Sequence, residues 1–300
     1  MKREVCFLID RNGQLLWSDA SSSPLALPDS RERWEAIWQH RDQLVELAHS
    51  HPLGPEQFSA EDASTMRALD DALGKKILFS LVTPRRYLLR GPNDLAVPAT
   101  PPRWVREIRI ASGMPPSPVE AWLTAWEEAG PSGDAKRLET ALAAFRAQLD
   151  EKGRLDLLFV CTHNSRRSQL AQVLALAAAR HAGLHEVRTF SGGTEITHVN
   201  PRALFALRRV GFDQLDPAEI FSKRLDDPAN PKSDFVSVMV CDDADAACPV
   251  VSGATRRVSL PYEDPRLADG TFEEHDRYDQ RVEQIGRDLT WIFGQLAQKH

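Results

Sequence analysis

Cysteine is scarce in this chain, with four in 300 residues, at positions 6, 161, 241 and 248. So few thiols, so unevenly spread, exclude a secreted disulfide scaffold and point to a reducing cytoplasm, with thiols kept for chemistry. Long apolar runs are missing as well. No stretch approaches the ~18 residues of a membrane helix, and the apolar start at residues 5–9 is cut short by Asp10 and Arg11, too soon for a signal peptide. Nor is there a concentrated Lys/Arg block. With 37 basic and 43 acidic residues the net charge is −6, which argues against nucleic acid as a partner while leaving room for a local anion pocket. What remains is an ordinary globular composition, 42% hydrophobic and 27% charged, long enough for two cores.

The two halves carry different patterns. In the first, residues 4–8 and 14–17 flank an Asp10-Arg-Asn-Gly13 turn and predict a β-hairpin. Ser30 caps a helix, residues 44–48 read as a strand, 63–73 as a helix closed by Gly74, and 76–82 and 86–89 as strands. Residues 104–110 read as the last strand, after the punctuation of Pro98-Ala-Thr-Pro-Pro102. Residues 119–128 and 136–149 predict two helices bridging the halves. The second half alternates strand and helix, with strands at 156–160, 187–191, 235–240 and 257–260, which implies a mostly parallel sheet covered on both faces.

Cys161-Thr-His-Asn-Ser-Arg-Arg-Ser168 follows the first of these strands and precedes a helical stripe. The amides of Thr162, His163, Asn164, Ser165 and Arg166 can curl around a tetrahedral oxyanion at a helix N-terminus, and Arg167 can clamp two of its oxygens. The same field favours a nucleophilic thiolate at Cys161. An ordinary strand-to-helix loop has a similar composition; the later residues weigh against that reading. Cys241 ends another strand, so both thiols fall at the carboxyl edge of the sheet, where ligands bind. Taken alone, Cys241 could equally be a core cysteine.

With Phe190-Ser-Gly-Gly193, the segment from Cys241 to Cys248-Pro249, and Glu263-Asp-Pro265, the region 154–300 resembles the low-molecular-weight tyrosine phosphatases, specifically their thioredoxin-coupled arsenate reductase branch. The resemblance implies that Cys161 attacks arsenate, that Arg167 and the loop hold the oxyanion, that Asn164 and Ser168 stabilise loop and thiolate, and that Asp264 is the general acid. It further implies that Cys241 attacks the Cys161 adduct and that Cys248 closes a Cys241–Cys248 disulfide, which thioredoxin reduces. A phosphotyrosine phosphatase would need only Cys161, Arg167 and Asp264. Two positions depart from the pattern: His163 stands where relatives carry Gly, and Arg166, where many carry Cys or an apolar residue, adds a cation that would strengthen anion binding or alter substrate choice.

In the first half, His49-Ser-His51, ten further residues and Asp62 place two imidazoles on one strand face and a carboxylate at the next helix start, a set suited to catalytic zinc. His-Ser-His alone could be a polar turn. The full phrase from His49 to Asp62 resembles the JAMM (JAB/MPN-type) metallopeptidases, which cleave isopeptide bonds to ubiquitin-like proteins. That resemblance implies zinc on His49, His51 and Asp62, oxyanion support from Ser59, and Glu4 as the carboxylate acting on water.

The expected protein is therefore α/β and cytoplasmic, with a JAB/MPN-like α+β domain at 1–112, a helical linker at 113–153 and a parallel-sheet phosphatase-like domain at 154–300. Its expected activity is thiol-dependent arsenate reduction beside a zinc hydrolase site. The alternatives are phosphotyrosine hydrolysis at the same site, zinc isopeptidase activity with the second half as a phospho-ligand sensor, and a binding module without catalysis.

Overall fold

The computed structural model describes residues 1–99, 101–102, 104–212, 215, 220–248 and 250–298, and the chain divides into two compact units, residues 1–118 and 119–300. Among the described residues, no helix is long and apolar enough to cross a membrane.

The first unit is built on a mixed sheet. Strand β1 (Val5–Asp10) turns through Gly13 into β2 (Leu15–Ala20), the expected hairpin. Helix α1 (Arg31–Gln39) starts where the Ser30 side chain accepts the Arg33 amide. Strand β3 (Leu44–Ser50) pairs with β1, and helix α2 (Ala60–Leu73) leads to β4 (Leu78–Val82) and β5 (Tyr87–Arg90). The sheet ends with β6 (Ala96–Pro98), in order β2-β1-β3-β4-β5-β6. The period of two in β1 splits the packing. Val5, Phe7 and Ile9 join one apolar cluster, while Cys6 and Leu8 join another with α1 and α2 residues.

The strand expected at 104–110 is instead a helix, α3 (Val105–Ala111). Its buried residues Trp104, Val105, Ile108 and Arg109 recur at helical spacing and form one stripe, whereas strand alternation would bury Glu107 or Arg106 with them. The last strand comes from the proline-bearing stretch before it. An edge position tolerates Pro98, because no ladder donor is required there.

The second unit opens with α4 (Pro118–Ala129) and α5 (Ala135–Lys152). These two helices, expected to bridge the halves, bury Leu123, Trp126, Leu138, Phe145 and Leu149 in the core of the second unit. Strand β7 (Leu155–Cys161), helix α6 (Arg167–His181), β8 (Val187–Gly193), α7 (Pro201–Arg209) and β9 (Phe235–Met239) follow. After them come a short helix, α8 (Asp242–Ala247), then β10 (Ala254–Ser259) and the closing α9 (Glu274–Ala297). All pairs in the sheet are parallel, in order β10-β9-β7-β8. Every residue of β7 is buried, as a central parallel strand requires.

α4 packs its Trp126 against a small residue of α9, Gly286. A Cβ on Gly286 would lie 2.5 Å from the Trp126 ring. Gly286→Ala is therefore expected to destabilise this unit by about 1–3 kcal/mol, despite alanine's better helix propensity, as read by urea unfolding.

Candidate active site and metal centre

The loop between β7 and α6 takes one left-handed residue, and it is Asn164 at φ 45°, not His163. Asparagine tolerates that conformation, so His163 sits in the loop without a strained backbone. His163 instead places its carbonyl on the Ser222 hydroxyl, which donates at 3.1 Å, and its ring Nε2 3.2 Å from Glu195 at the rim. The Ser165 carbonyl accepts the Asn200 amide at 2.9 Å, and the Thr162 carbonyl accepts the Glu195 amide at 2.9 Å. The loop is thus pinned along its length.

The Asn164 carboxamide makes three side-chain hydrogen bonds. Its Oδ1 accepts from Gln169 Nε2 at 3.0 Å and from the Lys223 amide at 2.8 Å, while Nδ2 donates to Ser168 Oγ at 2.9 Å. Because Ser168 Oγ is already accepting, its own hydrogen is free for the Cys161 sulfur, 3.0 Å away. Through Ser168 the sulfur lies beside the first turn of α6, the positive end of that helix. Arg167, next in chain, is buried; Nη2 meets Asp264 Oδ2 at 2.6 Å and Nη1 donates to the Tyr262 carbonyl at 3.1 Å. Cys161, Asn164, Arg167, Ser168 and Asp264 therefore converge on one site at the carboxyl edge of the sheet.

Arg166 does not join them. Its Nε donates to the Tyr278 hydroxyl at 2.8 Å and Nη2 to Asp269 Oδ2 at 2.9 Å. Burial opposes its charge, but the bond to Tyr278 and the nearby carboxylates prevail and raise its pKa further. The expected extra cation for the anion is spent on these partners.

The two later cysteines sit at opposite ends of α8. Cys241 is fully buried and its sulfur accepts the Ala244 amide at 3.3 Å, with the Thr162 hydroxyl 3.7 Å away. Cys248, half-buried, ends the helix with its amide on the Ala244 carbonyl. Seven residue steps along a helix span ~10 Å, beyond the ~7 Å that a disulfide allows between Cα atoms. Pairing these thiols therefore requires α8 to unwind. Arg257 holds the wound form, donating to the Cys248 carbonyl at 3.0 Å and the Asp245 carbonyl at 2.6 Å, and pairing with the Asp245 carboxylate.

Gly193 closes the Phe190-Ser-Gly-Gly193 run at the end of β8. A Cβ there would meet backbone atoms of Glu195, Asn164 and Thr162 at 2.6–2.8 Å, so only glycine lets β8 lie against the loop. Its place in a Gly-Gly pair after a strand was the available signal. Lys223, Gln169, Tyr262, Asp269 and Tyr278 carried none, because their contacts cross from distant segments.

Residues 156–286 match the sequence model of the low molecular weight phosphotyrosine protein phosphatases, and residues 4–88 match that of the prokaryotic homologs of the JAB domain. An arsenate reductase of Bacillus licheniformis is 35% identical over 131 residues, which are 43% of this chain and 88% of that protein. The chain belongs to the low molecular weight phosphotyrosine phosphatase family. Arsenate reductases of Shouchella clausii and Bacillus subtilis are each 34% identical, over 131 and 134 residues, covering 88% and 91% of those proteins. This phosphatase-family region lies within the second unit, and the first unit is a JAB-like domain.

In the JAB-like domain, His49 is the next-to-last residue of β3 and the chain continues to His51, with Cys6 of β1 paired opposite His49. Alternation along both strands sets Glu4, Cys6, His49 and His51 on the face that α2 covers. Asp62, in the first turn of α2, completes the set: among the described residues only His49, His51 and Asp62 bring metal-ligating atoms within 4.8 Å of one another. His49 Nε2 lies 3.2 Å from His51 Nε2 and 3.2 Å from Asp62 Oδ1, and His51 Nε2 lies 3.7 Å from Asp62 Oδ2. A tetrahedral ion with ~2.0–2.1 Å bonds has ligand separations of about 3.3 Å, so the donors fit zinc. His51 Nδ1 meets the Pro55 carbonyl at 2.9 Å, which fixes the tautomer with Nε2 free to ligate.

The electrostatics agree. Burial, together with His49, lowers the His51 pKa and favours the neutral ring that a metal needs. Burial alone would raise Asp62, yet bonding to His49 and Ser59 holds it well below the usual carboxylate range. Glu4 is buried beside them; desolvation pushes its carboxyl up to about 7, with His49 opposing and Asp62 reinforcing. Ser59 is occupied locally. Its hydroxyl accepts the Asp62 amide at 3.0 Å and its amide donates to Asp62 Oδ2 at 2.6 Å, a capping box that also aims the carboxylate.

Gly193→Ala is expected to weaken inorganic phosphate binding at the Cys161 loop at least ~10-fold, about 1.4 kcal/mol, measured by calorimetric titration. Unchanged affinity would mean that the contact between β8 and the loop does not shape the site.

Proposed function

We propose that the second unit is a thiol-dependent arsenate reductase. The observation that carries this reading is the convergence of Cys161, Ser168, Arg167 and Asp264 with a second buried thiol, Cys241, at the end of the neighbouring parallel strand. Arsenate binds in the loop with Arg167 moving from Asp264 to its oxygens. The Cys161 thiolate forms a sulfur–arsenic bond as one arsenic–oxygen bond breaks, and Asp264 gives the leaving oxygen its proton so that it departs as water. Cys241 then attacks the Cys161 sulfur. The sulfur–arsenic electron pair goes to arsenic, which leaves as arsenite, reduced by two electrons, while the two sulfurs are oxidised to a disulfide. With α8 unwound, Cys248 attacks Cys241, releases Cys161 as thiolate and leaves the Cys241–Cys248 bridge for thioredoxin to reduce.

Phosphotyrosine hydrolysis is the second reading, favoured by the fact that Cys161, Arg167 and Asp264 suffice for it and that Arg257 holds Cys248 in place. For the first unit we propose a zinc isopeptidase acting on a ubiquitin-like conjugate. Zinc held by His49, His51 and Asp62 would activate water and polarise a carbonyl. Glu4, with its carboxyl near neutrality, would accept the proton of the attacking water and pass it to the leaving amine.

Cys248→Ser is expected to abolish thioredoxin-dependent arsenite release, by at least ~100-fold, while aryl phosphate hydrolysis stays within about 2-fold; equal arsenate turnover in the variant would overturn the relay. The purified chain is expected to carry about one zinc, lost in His51→Ala. Metal content unaffected by that substitution would remove the zinc reading.

A further inference from the structure

Asp264 stands at the head of a short 3-10 turn, Pro265–Ala268, and Asp269 closes it. The two ends of this segment are held by consecutive arginines of the loop after β7. Arg167 takes Asp264 at 2.6 Å and Arg166 takes Asp269 at 2.9 Å. The second hold is braced: the fully buried Tyr278 of α9 accepts from Arg166 Nε at 2.8 Å and donates to Asp269 Oδ1 at 2.8 Å, closing a three-membered ring of side chains. The two holds differ in what happens when an oxyanion arrives. Arg167 must face the anion to clamp it, and its hold on Asp264 is then given up. Arg166 is committed to Tyr278 and Asp269 and keeps its partners.

We propose that Arg166, through Asp269 and Tyr278, is a positioning residue that keeps the general-acid segment docked over the loop once Arg167 has turned to the substrate. This deepens the proposed Cys161/Arg167/Asp264 chemistry and rests on it. The step it serves is proton delivery. As the Cys161 sulfur bonds to phosphorus or arsenic, the bond to the leaving oxygen breaks, and the Asp264 proton moves to that oxygen. An acid swinging free of the loop would make that transfer rare without weakening the grip on the anion.

Leaving-group dependence separates this role from anion binding and from simple loss of fold. Phenyl phosphate needs a proton on its leaving oxygen, whereas 2,4-dinitrophenyl phosphate leaves readily without one. Arg166→Met and Asp269→Asn are each expected to lower kcat/KM for phenyl phosphate by about 10- to 100-fold, to leave kcat/KM for the dinitrophenyl ester within about 3-fold, and to combine without further loss. Asp269→Asn leaves every residue of the oxyanion loop itself in place, so it keeps the test open if Arg166→Met folds poorly. Equal losses on both esters would overturn the proposal, since these are the signature of a damaged loop and of a direct anion ligand. A wild type inert toward both esters would count against the phosphoryl chemistry itself. The anchor is then read by hydrogen exchange of the amides at 266–269, expected to quicken at least ~10-fold in both variants; unchanged exchange would overturn it.

Discussion

The second unit depends on one buried carboxamide held by three partners. Asn164 spends both lone-pair directions of its oxygen on Gln169 and the Lys223 amide, and it directs its nitrogen to Ser168. That last bond leaves the serine hydrogen available to the Cys161 sulfur, 3.0 Å away. A buried amide held by three partners keeps one orientation, and the Ser168–Cys161 contact is placed by it. The left-handed backbone at Asn164 belongs to the same arrangement, because it turns the side chain inward while Gly193 makes room for the loop beside β8.

Around that fixed centre, the neighbouring parts differ in how firmly they are held. Arg167 has two partners that an oxyanion would replace, the Asp264 carboxylate and the Tyr262 carbonyl. Helix α8 keeps Cys241 and Cys248 apart by its own geometry, and Arg257 fastens its far end. The first unit uses the opposite strategy for its histidines. Sheet alternation sets them on one face, the capping box of α2 aims Asp62 at them, and a backbone carbonyl holds the His51 ring.

Much of this was legible in the residue order where the physics is local. The Asn-Gly hairpin, the Ser30 cap, the Gly74 terminus and the alternation of strand and helix after residue 154 follow from preferences acting over a few neighbours. Cys161 to Ser168 and His49 to Asp62 were readable for the same reason, since each is one short stretch. Residues 104–110 misled because a mixed pattern of Val, Ile and Arg fits two periods, and only packing against β1 and β3 selects the helical stripe.

The sequence by itself determined that there are two halves with different chemistry, which thiol follows a strand and heads a helix, and which imidazoles share a strand face. Tertiary structure alone decided that Arg166 faces Asp269 and Tyr278 rather than an anion, that Arg167 meets Asp264, and that Arg257 fastens the helix between Cys241 and Cys248. The reason is range. Each of the first facts depends on residues within one turn or one strand, while most of the second depend on side chains from segments up to about a hundred positions apart, whose meeting no local preference encodes.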